Sequence, residues 1–143
     1  MRLILDTNVV VSALLWGGVP YRLLQLAAEG EVQLFTSPVL AAEFGEILAR
    51  PHFHAKLLEQ GTSAEALSTL YLEFARSVSP LAVPRVVPND PDDDHVLACA
   101  VTAQASLIVS GDKHLLSLRS YQGIQIVNPA HALALISPMH STL

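Results

Sequence analysis

Short apolar runs alternate along the chain with longer segments in which apolar residues recur every three or four positions. The runs predict buried strands and the longer segments predict amphipathic helices. Residues 2–5 form the first strand, and Asn8 to Leu15 a short helix ending at Gly17-Gly18. Pro20 opens a helix whose stripe is Leu23, Leu24, Leu26 and Ala27, stopped by Gly30. Val32 to Phe35 is a second strand. Ser37 then caps a helix with Pro38 at its first position, running to about Arg50 before Pro51. Residues 52–60 and 63–77 read as helical, with Leu67, Leu70 and Phe74 on one face. The three prolines of residues 78–89 predict an extended connection. A helix begins near Asp92 to Asp94 and passes through Val96, Leu97, Ala100 and Val101. Leu107 to Val109 is a strand, Asp112 to Leu118 a short helix, Ile124 to Val127 a strand and Pro129 to Ile136 a last helix.

Strands separated by helices make βαβ units, so the expected class is α/β, a central parallel sheet with helices on both faces. The 143 residues suit one domain able to bury a proper core. It is expected over residues 1–137, with 138–143 as a flexible tail. An apolar fraction of 51% excludes disorder and suggests that some apolar surface meets a partner or a second copy. No run reaches the roughly 18 apolar residues of a membrane helix. Nothing at the N-terminus marks export, and a lone Cys99 fits a reducing cytoplasm. The net charge of −5 does not advertise nucleic-acid binding. The aspartates account for that excess, however, and a bound cation would leave the remaining surface nearly balanced.

All six aspartates fall in three short segments, each after an apolar run. Asp6 follows Leu3-Ile4-Leu5; Asp90, Asp92, Asp93 and Asp94 follow Val83 to Pro88; Asp112 follows Leu107-Ile108-Val109-Ser110-Gly111. In an open parallel sheet such strand ends gather along one edge, where ligands bind. Carboxylates brought together there repel one another unless a hard cation lies between them. Asp6 could instead cap a helix, but Asn8 can do that, freeing Asp6 for a ligand. Among the four clustered acids, Asp94 stands directly before the buried run Val96-Leu97-Ala98-Cys99-Ala100 and is the expected ligand. An EF-hand loop is excluded, because its glycine and closing glutamate are missing. A fourth acid must come from a helix. Glu43 is preferred to Glu46, since it borders the stripe Leu40–Phe44–Ile47–Leu48, whereas Glu46 has the spacing of a surface pair with Arg50. Thr7, Asn8, Asp92 and Ser110 are expected to support these acids.

The ordered motifs resemble the PIN-domain family, specifically its bacterial branch of VapC-like toxins from toxin–antitoxin pairs. Leu3-Ile4-Leu5-Asp6-Thr7-Asn8-Val9 matches the opening strand and its acid. Ser37-Pro38-Val39-Leu40-Ala41-Ala42-Glu43 matches the helix bearing the second. Asp90-Pro91-Asp92-Asp93-Asp94 before an alanine-rich helix points to Asp94 as the third, and Ser110-Gly111-Asp112-Lys113-His114-Leu115 holds the fourth. The strand and helix start Ile126-Val127-Asn128-Pro129-Ala130 close the pattern.

The resemblance implies a Rossmann-like three-layer α/β/α domain and a ribonuclease that hydrolyses phosphodiester bonds with Mg²⁺ or Mn²⁺. Asp6 and Asp94 would hold the principal ion, with Glu43 and Asp112 completing the site. It also implies an RNA substrate, a cognate antitoxin and a homodimer. Lys113, Arg50 and Arg85, with Arg22, are candidates to hold the RNA backbone. Trp16 is more readily a packing or dimer residue than a base-stacking one, and His95 and His114 read as helix-surface residues. A haloacid-dehalogenase-type phosphotransferase is excluded by Asn8, which stands where that chemistry needs an acid, and no receiver-domain acidic pair is visible. The remaining alternative is a catalytically silent PIN-fold module that binds RNA or a partner.

Overall fold

The computed structural model describes residues 1–87 and 90–140, with side chains as far as Ser137. Six strands form one sheet in the order β3-β2-β1-β4-β6-β5. They are β1 (Arg2–Leu5), β2 (Gln33–Thr36), β3 (Ala75–Ser77), β4 (Leu107–Val109), β5 (Ser120–Tyr121) and β6 (Ile124–Val127). Every pairing is parallel except that of β5 with β6. Between the strands lie α1 (Thr7–Trp16), α2 (Gly18–Ala28), α3 (Pro38–Leu48), α4 (His54–Glu59), α5 (Ala64–Phe74), α6 (Pro91–Ala103) and α7 (Lys113–Leu118). Helix α8 (Pro129–His140) follows β6.

Leu3–Leu5 of β1 and the whole of β4 are apolar and buried because both faces of the sheet are covered there. Leu3, Leu5, Leu34, Leu107 and Val109 point into a core built with α1, α2, α3, α5 and α8. The alternate residues Ile4, Phe35 and Ile108 point the other way, into a second core with α6 and α7. This is the expected three-layer α/β/α arrangement. Among the described residues, no single helix is long and apolar enough to cross a membrane; α1 and α2, both apolar, meet at a bend of 97°.

The order of the sheet positions the site. From β1 the chain builds outward through β2 and β3 on one side, and through β4 and β6 on the other. The strand order therefore reverses between β1 and β4, which leaves a crevice beyond their carboxyl ends. Leu5 is in register with Val109, and the next amide, Asp6 N, donates to Val109 O at 2.8 Å. The residues that follow the two strands, Asp6 and Ser110, are thereby brought side by side.

Three expectations change. The segment 63–77 is not one helix, because α5 ends at Phe74 and Ala75–Ser77 pairs with β2. The inner face of α5 runs through Leu67 and Tyr71, with Phe74 partly buried, and Leu70 lies on its outer side. Residues 120–127 form a hairpin rather than a lone strand. Its turn residues Gln122 and Gly123 both have positive φ, 48° and 82°, as a tight two-residue turn requires. Finally, α8 continues past Ile136 to His140, so part of the expected tail is helical. The remainder, 141–143, lies outside the described residues, as do Pro88 and Asn89 of the extended connection.

Candidate metal centre

Asp6 occupies the position that would cap α1, yet its side chain makes no capping hydrogen bond. The buried carboxylate instead accepts the Ser110 hydroxyl on Oδ2 at 2.7 Å. Ser110 Oγ in turn accepts the Asp112 amide at 2.9 Å. One buried hydroxyl thus ties the end of β1 to the loop after β4. Asp112 does cap its helix, with Oδ1 accepting the His114 amide at 2.7 Å. Asp6, Asn8, Ser12, Gly111, Asp112 and Pro129 line a cleft of about 350 Å³. At ~30 Å³ per water, this volume accommodates a hydrated ion together with a phosphate group.

The acidic loop enters from the other side. Asp93 is buried, and its Oδ2 has no hydrogen-bond partner. Burial pushes the Asp93 carboxyl well above the ordinary aspartate range, and the nearby Asp112, Asp90 and Asp6 push it further. Asp6 is raised as well, by burial first and then by Asp112 and Asp90, although Ser110 and the Thr7 amide oppose the shift. Glu43, reaching in from α3, is pushed up to about 7 by burial and by Asp92 and Asp6, with the Thr7 side chain partly offsetting them. Ligand atoms of Asp90, Asp93, Asp112 and His114 all lie within 4.8 Å of one another. Two ligands on opposite sides of a magnesium-sized ion are about 4.2 Å apart, so this spacing is close to one coordination sphere.

A model of the PIN domain matches residues 2–114. The chain belongs to the PIN-domain family. An uncharacterized protein from Methanocaldococcus jannaschii is 30% identical to this PIN domain over 135 residues, or 92% of this chain and 83% of its own. Among solved structures, a chain of VapBC2 from Rickettsia felis, bound to a DNA fragment from their promoter, superposes with a TM-score of 0.63. It is 15% identical, with 90% of this chain and 98% of that chain covered. At this identity the likeness establishes the fold.

In this PIN domain Asp6 and Asp112 line one cleft and Glu43 is near enough to feel the charge of Asp6, whereas Asp94 turns to the segment before α6. Its Oδ1 accepts the amides of Val86 and Val87, both at 2.9 Å. It therefore anchors the extended segment that leads into α6, and it is Asp93 whose carboxylate lies beside those of Asp90 and Asp112. The phase of α6 explains the difference. Asp93 shares a helical face with Val96, Leu97 and Ala100, all essentially inaccessible; Asp94 shares buried Leu97 and Ala98, but its face ends at exposed Val101. That signal was present in the sequence but was masked by the adjacency of three aspartates. Asp90, also passed over as a ligand, stands within the cluster. Asp92 is exposed and acts on Glu43 through its charge.

The predicted basic contacts are dispersed. Lys113 is exposed beside Asp112. Arg85 lines a separate cavity with Asp94 and His95. Arg50 lies beyond the far end of α3, lining another cavity with His54 and Leu57. Helix α3 starts at the carboxyl edge and runs about 16 Å away from it, so its last residues lie far from the cleft. Arg22 on α2 pairs with Glu29 just beyond its end, at 3.5 Å and in an exposed position. Trp16 packs edge-to-face on Phe53, with centroids 5.8 Å apart.

Proposed function

We propose that this PIN domain is a divalent-metal-dependent endoribonuclease, and that it acts as the toxin of a toxin–antitoxin pair. The observation that carries the reading is Asp93 Oδ2, buried among Asp6, Asp90 and Asp112 with no donor to satisfy it beyond a proton shared with the Asp112 carboxyl. Buried polar atoms are almost always paired, and a cluster of like charges is stabilised by a cation. The all-oxygen carboxylate set fits Mg²⁺ or Mn²⁺. When bound, such an ion supplies a hydroxide-like nucleophile at neutral pH and neutralises charge on the phosphate.

The protein's own groups do the rest. Asp90, Asp93 and Asp112 hold the ion at the crevice, and Asp6 adds charge beside them. Ser110 fixes the relative positions of Asp6 and Asp112. Glu43, with a pKa near neutrality, is suited to accept a proton from water entering the cleft. Asn8 lines the cleft and Lys113 is exposed next to Asp112, so both are placed to meet the phosphate backbone. RNA as substrate and the toxin role follow from the family resemblance. The VapBC2 neighbour, a complex bound to promoter DNA, supports an antitoxin partner. A homodimer or antitoxin would cover the exposed Trp16, Val19, Tyr21 and Leu58. The cytoplasm, whose reducing conditions suit the free, buried Cys99, is the proposed compartment.

The test is incubation of purified protein with a pool of structured RNAs and Mg²⁺ or Mn²⁺, against the same mixture with EDTA. Metal-dependent scission is expected. Scission that persists in EDTA sinks the mechanism, and none with any metal leaves the silent RNA- or partner-binding module.

A further inference from the structure

The cluster contains one group that an oxygen-only magnesium site does not use. His114 Nδ1 lies 3.8 Å from Asp112 Oδ1 and 3.9 Å from Asp90 Oδ2. These distances are too long for hydrogen bonds. They fall between the ~3.0 Å and ~4.2 Å that separate adjacent and opposite ligands of one small ion with bonds of ~2.1 Å. The Asp112 cap on the His114 amide fixes the first turn of α7, and from that turn the imidazole reaches both acids. The cluster has an independent mark of a ligand site, the buried Asp93 Oδ2 without a donor.

We propose that His114 supplies a nitrogen ligand to the ion held by Asp90, Asp93 and Asp112, and so makes the centre selective for Mn²⁺ over Mg²⁺. The inference rests on the metal-dependent reading above and refines it. Carboxylates alone serve both ions, whereas imidazole suits the first-row transition ions and adds little for Mg²⁺, which keeps water in that position. A residue outside the four acids implied by the resemblance would then decide which ion the site takes.

The experiment is Mn²⁺ titration of the metal-free protein followed by electron paramagnetic resonance, with Mg²⁺ as competitor and resolution of nitrogen hyperfine coupling. The expected result is nitrogen coupling in the wild type and a Mn²⁺ affinity at least about tenfold above that for Mg²⁺. His114→Ala and His114→Gln should abolish the coupling and lower Mn²⁺ affinity about tenfold, while Mg²⁺ affinity stays within about twofold. Coupling that is absent from the wild type, or that survives in both variants, overturns the proposal, as does an equal loss for both ions. In these cases Mn²⁺ binding that is lost in Asp93→Asn leaves the metal-dependent reading standing. A wild type that binds neither ion overturns both.

Discussion

Ser110 and Asp6, 104 residues apart in the chain, are joined by a buried hydrogen bond of 2.7 Å between the Ser110 hydroxyl and Asp6 Oδ2. The same oxygen of Ser110 receives the Asp112 amide. Removing it leaves Asp6 without its neutral donor and the Asp112 amide without its acceptor. Ser110→Ala is expected to weaken divalent-ion binding by roughly 10- to 100-fold, the usual effect of losing an outer partner of a ligand. Calorimetric titration of Mn²⁺ checks this, and unchanged affinity counts against the positioning role.

Asp93 and Asp94 are neighbours with opposite effects on stability. Asp94→Ala strands the amides of Val86 and Val87, a loss of about 2–4 kcal/mol. For a chain of this size that is a melting temperature lower by roughly 5–15 °C. Asp94→Asn retains an accepting oxygen and should lose much less. Asp93→Asn removes a buried acid repelled by its neighbours, so the metal-free variant should melt a few degrees higher than wild type at pH 7. Thermal scans in EDTA distinguish the two. A destabilised Asp93→Asn alongside a neutral Asp94→Ala would reverse the assignment.

The raised carboxyls set the pH dependence. Glu43 moves from 4.5 to about 7 on folding, and Asp93 shifts in the same direction. In this window the folded protein holds more protons than the unfolded chain, so stability falls as pH rises. The metal-free melting temperature should therefore decrease between about pH 5 and 8. Saturating Mn²⁺, which displaces those protons, should flatten the slope. A metal-free protein that becomes more stable across this range contradicts the buried, repelling cluster.

Most of the fold is legible in the sequence because the strands Leu3–Leu5 and Leu107–Val109 are buried on both faces and read as unbroken apolar runs. The Ser37 cap, which accepts the Leu40 amide, fixes the start of α3 in the same way. β3 is not legible: Phe74-Ala75-Arg76 continues a helical pattern, and only the exposed backbone of β2 turns it into a strand. The two-residue β5 is equally short of pattern, although Gln122-Gly123 signals its turn. At the site, strand ends reveal Asp6 and Asp112 because sheet topology delivers them. Choosing between Asp93 and Asp94 requires the phase of α6 against the sheet, which three successive aspartates obscure. His114 escapes notice for another reason, since its exposure and its place in the first turn of α7 give it the pattern of a surface residue.

The most direct measurement is the single-turnover RNA cleavage rate in Mn²⁺ for the wild type, Asp93→Asn and Asp94→Asn. The wild type should cleave, Asp93→Asn should be slowed by about 10³-fold or more, as expected for loss of a group stabilising the transition state, and Asp94→Asn should keep at least about a tenth of the rate. An Asp93→Asn enzyme as fast as wild type, or an Asp94→Asn enzyme as slow as the Asp93 variant is expected to be, would contradict a metal centre built on Asp90, Asp93 and Asp112.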